Sequence, residues 1–183
     1  MELKKVSDED YEYLHYQYNK AFPVDERAPF RRVWKKALEG KADFLGLYSH
    51  DRCIGFAYLV KYRDIVYILY LAVDHRLRGR GLGTKMMNSI LKRNAGKRIF
   101  LACEPKDPQA KNSADRERRR EFYLRCGLED MPYKIYEADF CYAMMGTGGE
   151  VKPEEYQAMM RWHAGRIMSR ILGLRMEKGG DRK

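Results

Sequence analysis

The residues best suited to chemistry lie in one run, Tyr70-Leu71-Ala72-Val73-Asp74-His75-Arg76-Leu77-Arg78-Gly79-Arg80-Gly81-Leu82-Gly83-Thr84. An apolar stretch, Ile65 to Val73, ends there, three glycines follow, and a helical pattern starts at once. Glycines let backbone amides approach a ligand without side-chain obstruction. Amides at a helix start have no partner within the helix and carry the positive end of its dipole. Such a turn suits a phosphate or pyrophosphate. Arg76, Arg78 and Arg80 add positive charge. The run is not a nucleotide P-loop, because no Gly-Lys-Ser/Thr closes it. Its glycine spacing is not that of the dinucleotide-binding fingerprint. Taken alone, it also reads as a flexible strand-to-helix turn.

The elements that must position this turn follow from hydrophobic spacing. Residues 2–6 read as a short strand. Ser7 and Asp10 resemble a capping box, after which Tyr11, Leu14, Tyr18 and Phe22 fall at helical spacing. Pro23 stops that helix, and Pro29 opens a second one with Phe30, Val33, Trp34 and Ala37 on its apolar face. Asp43 to Tyr48 and Cys53 to Tyr62 form a hairpin, and Ile65 to Val73 is a third, buried strand. A helix runs from about Leu82 to Asn94, and Arg98 to Cys103 is a short buried strand. Pro105 to Asp115 reads as loop, and Arg116 to Cys126 as helix with Gly127 as its cap. Tyr133 to Met145 is one bent strand or a tight pair, and Gly146-Thr147-Gly148-Gly149 a turn. A long helix spans Pro153 to Met176, with a frayed tail from Gly179. This order gives an α/β fold, a mixed sheet with helices on its faces.

Composition narrows the function classes. A chain of 183 residues, 45% of them hydrophobic, is enough for one domain with a real core. The expected division is a domain over 1–150 and a C-terminal helical extension and tail over 151–183. Four cysteines without paired spacing exclude a disulfide scaffold and read as buried reduced thiols. No signal peptide and no membrane span is recognisable, so a cytoplasmic location is expected. Lys and Arg number 36 against 26 Asp and Glu, a net charge of +10 that calls for an anionic partner. A nucleic-acid surface would interleave basic residues with aromatics, and His75 to Arg80 contains none, so nucleic acid is disfavoured. No His pair at helical spacing exists, and no metal site is expected.

Arg78-Gly79-Arg80-Gly81-Leu82-Gly83 resembles the acetyl-CoA signature Arg/Gln-x-x-Gly-x-Gly/Ala of the GNAT family of N-acetyltransferases. Leu71-Ala72-Val73-Asp74 is similar to the strand end that precedes it. Some 40 residues on, Phe122-Tyr123-Leu124-Arg125-Cys126-Gly127-Leu128 resembles the family's Phe/Tyr-Tyr-x-x-x-Gly-Phe. The likeness covers roughly residues 1–145. It implies a mostly antiparallel single-domain sheet whose fourth and fifth strands splay apart, with helices on both faces. It implies acetyl-CoA as co-substrate and no metal.

The same resemblance implies roles. The backbone of Leu71, Ala72 and Val73 would pair with the pantetheine, and an amide near Val73 would hold the thioester oxygen. The pyrophosphate would lie on the amides of Arg78, Gly79, Arg80, Gly81, Leu82, Gly83 and Thr84. Tyr123 matches the family's tyrosine acid, which protonates the leaving thiolate; alternatively it only packs. Where N-terminal acetyltransferases of the family carry Leu-Glu-Val, this chain reads Leu101-Ala102-Cys103-Glu104, so the usual base is replaced by Ala102. Glu104 either serves as base at the mouth of the site or pairs with nearby arginines. Glu26, in the connection between the first two helices, either meets a cationic amine or acts as base, or is only a charge near a helix start. The stripe Arg116, Arg119 and Tyr123 faces either an anion or solvent.

The leading expectation is therefore an enzyme that moves the acetyl group of acetyl-CoA to an amine, a small molecule for preference, by direct attack in a ternary complex. The alternatives are a non-catalytic CoA-binding module, sensory or structural, and a basic nucleic-acid adaptor. The C-terminal helix, with Tyr156, Met160, Ile167, Ile171 and Leu174 on one stripe, packs on the domain, forms a homodimer contact, or lies on a membrane surface.

Overall fold

The computed structural model describes residues 1–179. The chain forms two compact units, Met1–Lys61 with Ile68–Ala95, and Tyr62–Tyr67 with the residues from Gly96 onward. The expected α/β architecture is present, with eight strands and six α-helices among the described residues.

The first unit contains β1 (Glu2–Lys5), α1 (Tyr11–Ala21), α2 (Phe30–Leu38), β2 (Asp43–Ser49), most of β3 (Arg52–Tyr62) and of β4 (Ile65–Val73), and α3 (Leu82–Arg93). Its strands are ordered β1-β2-β3-β4, with β1–β2 and β2–β3 antiparallel. The helical spacing of Tyr11, Leu14 and Tyr18 turns one face of α1 inward, and α2 presents Phe30, Val33 and Trp34. These rings meet Phe44, Phe56, Tyr58 and Tyr70 from the strands. Tyr18 meets Tyr70 edge-on at 5.0 Å and Phe44 meets Tyr58 at 5.5 Å, geometries that satisfy the aromatic quadrupole. Two hydrogen bonds then fasten the α1–α2 connection: the Tyr18 hydroxyl donates to the Ala28 carbonyl at 2.9 Å, and the Ala28 amide donates to the Tyr70 hydroxyl at 3.2 Å.

The second unit contains β5 (Arg98–Cys103), α4 (Ser113–Arg125), β6 (Glu129–Glu137), β7 (Phe140–Thr147), α5 (Pro153–Ala164), α6 (Arg166–Ile171) and β8 (Arg175–Lys178). Its strands are ordered β5-β7-β6-β8, and each of these neighbours is antiparallel. Three details depart from the sequence reading. Helix α4 begins at Ser113, so the loop before it is shorter than expected. Gly146 and Thr147 are strand, not turn; a Cβ on Gly146 would sit 2.7 Å from the Ile99 carbonyl, so glycine is what lets β7 close on β5 there. The expected long helix is broken at Gly165, whose φ of 89° no helix allows, and Gly173 at φ 55° turns the chain into β8. Helix α6 leaves Ile167 and Ile171 exposed. Of the tail expected from Gly179, residues 180–183 lie outside the described residues.

Arg98 ties this unit together. Its guanidinium donates to both oxygens of Asp64 at 2.7 and 2.9 Å, to both oxygens of Glu155 on α5 at 2.8 Å, and to the Glu150 carbonyl at 2.8 Å. Forked arginine–carboxylate pairs are the strong form of ion pair. Arg98 lowers the pKa of both carboxylates and its own is raised by them. Carboxylates held down in this way stabilise the fold above their unfolded values, about 3.9 and 4.3, and that contribution is lost as pH falls through the lowered folded values. Arg98→Met is expected to lower the melting temperature by about 3–6 °C at pH 7, after allowing for the solvent exposure of Asp64. The gap to wild type should narrow toward pH 3, as followed by circular dichroism melts.

Candidate active site

The first unit carries the glycine turn. Strand β4 is buried over Ile65–Ile68, but Leu71, Ala72 and Val73 are only half-buried. On the β3 side, Gly55 allows a close approach: a Cβ there would stand 2.9 Å from the Ala72 carbonyl and 3.3 Å from the Val73 Cα. A glycine inside a strand pattern is the sequence signal for such an approach, and the sequence reading passed over it at Gly55.

Beyond Val73 the chain is held by Asp74, which is 2% exposed. The Asp74 amide donates to the Ile54 carbonyl at 2.9 Å. Its carboxylate accepts from the Arg76 amide at 3.0 Å, from the Arg76 guanidinium at 3.1 and 2.7 Å, and from the Tyr13 hydroxyl of α1 at 3.2 Å. Those donors, Arg76 first, hold the carboxyl well below the usual carboxylate range despite its burial. Asp74 therefore caps the single 3₁₀ turn His75–Leu77 and fixes the direction in which the chain leaves β4. Ser49, Arg52, Ile54, Asp74, Arg76 and Leu77 line a cavity of about 380 Å³ on this side.

Gly79 and Gly81 both take positive φ, 78° and 72°, and neither Cβ position has an atom within 4 Å. A side chain there would be strained and would project into the open space over the turn. Gly81 is the N-cap of α3, whose Leu82, Met86, Met87 and Ile90 are buried and anchor the helix. The amides of Leu82, Gly83 and Thr84 thus sit in the first turn, where no intrahelical carbonyl reaches them. Arg78 and Arg80 are exposed and form no ion pair among the described residues. The open cradle, the oriented amides and the two arginines fit a pyrophosphate. Glu26 lies in the α1–α2 connection of the same unit, in a short 3₁₀ turn (Val24–Glu26), half-buried. Arg27 beside it donates to the Asn19 carbonyl at 3.0 Å and to the Phe22 carbonyl, which fixes this connection to the end of α1.

The second unit carries Tyr123 and Glu104. No residue of α4 is fully buried. The helix ends in a left-handed Gly127 at φ 86°, with the Leu128 amide donating to the Tyr123 carbonyl at 3.1 Å and the Gly127 amide to the Leu124 carbonyl at 2.9 Å. This Schellman closure, locked by the buried Leu128, fixes the backbone that carries Tyr123. Burial pushes the Tyr123 phenol up to about 12, the neighbouring Cys103 thiol adds to the rise, and Arg119 opposes it. Cys103 is itself pushed up to about 11, chiefly by burial. Glu104 is not an open carboxylate: it accepts from Asn112 at 2.8 Å and from Arg119, and Arg116 stands 3.4 Å away. Arg116 and Arg119 thus turn toward Glu104, and Arg116 also donates to the Pro105 carbonyl at 3.1 Å. Among the described residues, no group of three or more His, Cys, Asp or Glu is placed to hold a metal.

Residues 11–128 match the model of the acetyltransferase (GNAT) family. No curated protein sequence matches the chain. Solved structures do. A GNAT-family protein from Bacteroides thetaiotaomicron aligns with a TM-score of 0.70 at 19% identity, over 94% of this chain and 99% of that one. An aminoglycoside 6'-N-acetyltransferase in complex with coenzyme A gives 0.64 at 17% identity, over 84% and 99%. A PaiA N-acetyltransferase from Thermoplasma acidophilum, also with coenzyme A, gives 0.58 at 17%, over 80% and 97%.

The Asp74 network predicts an acid-sensitive turn. Asp74→Asn is expected to cost about 1–2 kcal/mol at pH 7, the lower part of the range for hydrogen bonds to a charged group because Arg76 is largely exposed. The wild-type advantage should shrink as pH falls from about 4 toward the lowered folded value. Urea titrations at pH 7 and pH 3 measure both; equal midpoints at pH 7 would show that the carboxylate does not hold the turn.

Proposed function

The chain belongs to the GNAT family of acyl-CoA-dependent N-acyltransferases, and we propose that it moves the acetyl group of acetyl-CoA to an amine, most readily a small molecule, by direct attack in a ternary complex. The observation that carries this reading is the turn from Arg78 to Thr84: two glycines at positive φ under open space, leading into the unpaired amides of a helix whose own side chains are firmly anchored.

Acetyl-CoA supplies the activated acetyl group. The turn amides and the exposed Arg78 and Arg80 bind its pyrophosphate. The half-buried backbone of Leu71, Ala72 and Val73 receives the pantetheine, and an amide near Val73 polarises the thioester carbonyl. These contacts are main-chain contacts, so Asp74 and Gly55 matter for where they put the backbone.

Tyr123 is the proton donor to the departing sulfur, the role that its match to the family motif assigns. A phenol raised to about 12 is fully protonated at working pH, the state a donor needs. Deprotonation of the amine requires a base. Glu26 and Glu104 are the two carboxylates the sequence offers for this step, and the charge of Glu104 is engaged by Arg119 and Arg116. A cytoplasmic location and a homodimer through the C-terminal segment remain part of this reading, supported by the reduced cysteines and by the exposed Ile167 and Ile171.

Calorimetric titration with acetyl-CoA tests the cofactor. Micromolar binding that Gly81→Glu abolishes is expected, since the substituent would be strained at φ 72° and would place a carboxylate over the phosphate cradle. Absence of binding to the wild-type chain would leave the fold without this activity. In steady-state assays with free-thiol detection, Tyr123→Phe is expected to lower kcat by roughly 10²-fold, the lower range for a general acid, and to change the acetyl-CoA Kd by less than about threefold. Equal small losses in both would remove its acid role.

A further inference from the structure

The second unit holds a carboxylate that this reaction scheme does not use. Glu137 ends β6, and its Oε1 accepts from the Tyr67 hydroxyl at 2.8 Å and from the Tyr156 hydroxyl of α5 at 3.1 Å. No salt bridge reaches it among the described residues, in a chain whose net charge is +10. Its other oxygen, Oε2, makes no hydrogen bond among them, while the residue as a whole keeps part of its surface open. Desolvation raises its pKa, and the two tyrosines only partly offset that. A sequestered carboxylate without a cation is uncommon, because its charge is expensive unless paired.

The surroundings hold this carboxylate in one orientation. Tyr67 stacks on Phe100 at 4.6 Å, and Tyr156 packs edge-on against both rings at 6.2 and 6.3 Å. These rings are fully buried and packed on one another, so they fix the two hydroxyls that orient the carboxylate, and its charge is what a cation would meet. The register places this group at the same end of the sheet as Cys103. Ala143 of β7 pairs with Cys103 on one side and Lys134 on the other. Glu137 is three residues further along β6, roughly 10 Å at strand rise, and two strands across from Cys103, the neighbour of Tyr123, so about 14 Å from it.

We propose that Glu137, oriented by Tyr67 and Tyr156, is the specificity residue that binds a cationic group of the acceptor, so that the enzyme selects organic ammonium compounds. The inference rests on the acetyltransferase reading and adds the charge of the acceptor. The two tyrosines hold Oε1 and leave Oε2 for the ligand's N–H donors.

Glu137→Gln separates recognition from architecture, because the glutamine carbonyl still accepts from both tyrosines while the charge is gone. Calorimetric titrations with 1,4-diaminobutane, in the presence of saturating coenzyme A, are to be made on the wild-type chain and on the variant. The expected result is binding to wild type, weakened at least tenfold in Glu137→Gln, with coenzyme A affinity and melting temperature unchanged. Equal affinity in both proteins, or no binding of the diamine by a wild-type chain that binds coenzyme A, would overturn the proposal. A lowered melting temperature with unaltered diamine affinity would likewise overturn it and leave Glu137 as an anchor for α5. Loss of coenzyme A binding in the wild-type chain would instead strike the acetyltransferase reading itself.

Discussion

The architecture of the first unit depends on a backbone that must be both unpaired and rigid. Main-chain groups at the end of β4 and at the start of α3 bind a ligand only if nothing in the protein has already claimed them, and unclaimed backbone is ordinarily mobile. Asp74 resolves this conflict. Its amide donates to the Ile54 carbonyl of β3, and its carboxylate gathers Arg76 and Tyr13. The polar partners of the turn are satisfied on the inner side, so that the outer side can stay open. The aromatic packing of α1 and α2 serves the same end, since it fixes Tyr13 on α1 and the connection that carries Glu26.

Charge is divided in the same manner. Arg98, Arg116, Arg119 and Arg120 all have carboxylate partners in the second unit. Arg78 and Arg80 do not, among the described residues. A net charge of +10 is therefore not spread as a uniform field. The arginines with structural partners contribute little to the attraction of a distant anion, whereas two that flank the glycine turn keep their full charge for one.

The sequence made the first unit and β5 almost fully legible, because each element there announces itself locally. Strands β4 and β5 fall at the bounds expected, since apolar runs end at Asp74 and Glu104. Helix α3 is marked by glycine before it and by Met86, Met87 and Ile90 at helical spacing. The C-terminal part was harder. Gly165 sits inside a continuous polar and apolar alternation that looks helical, and β8 buries only Met176, too little period for a strand to be seen. The pairing of Glu104 with nearby arginines was one of the two readings of that residue, but which arginines take part follows from the fold, because Arg116 and Arg119 lie across a loop from it. Glu137 could not be singled out at all. Its surroundings come from Tyr67 and Tyr156, 70 residues before it and 19 after, and no spacing rule joins three such positions.

Burial acts on Tyr123 and Cys103 alike: the phenol is pushed up to about 12 and the thiol up to about 11, each chiefly by desolvation. Arg119 still opposes the rise at Tyr123 although its guanidinium is drawn to Glu104. On the proposed reading, the phenol therefore enters the reaction protonated, as a hydrogen-bond donor, and the closure at Gly127 fixes the backbone that carries it.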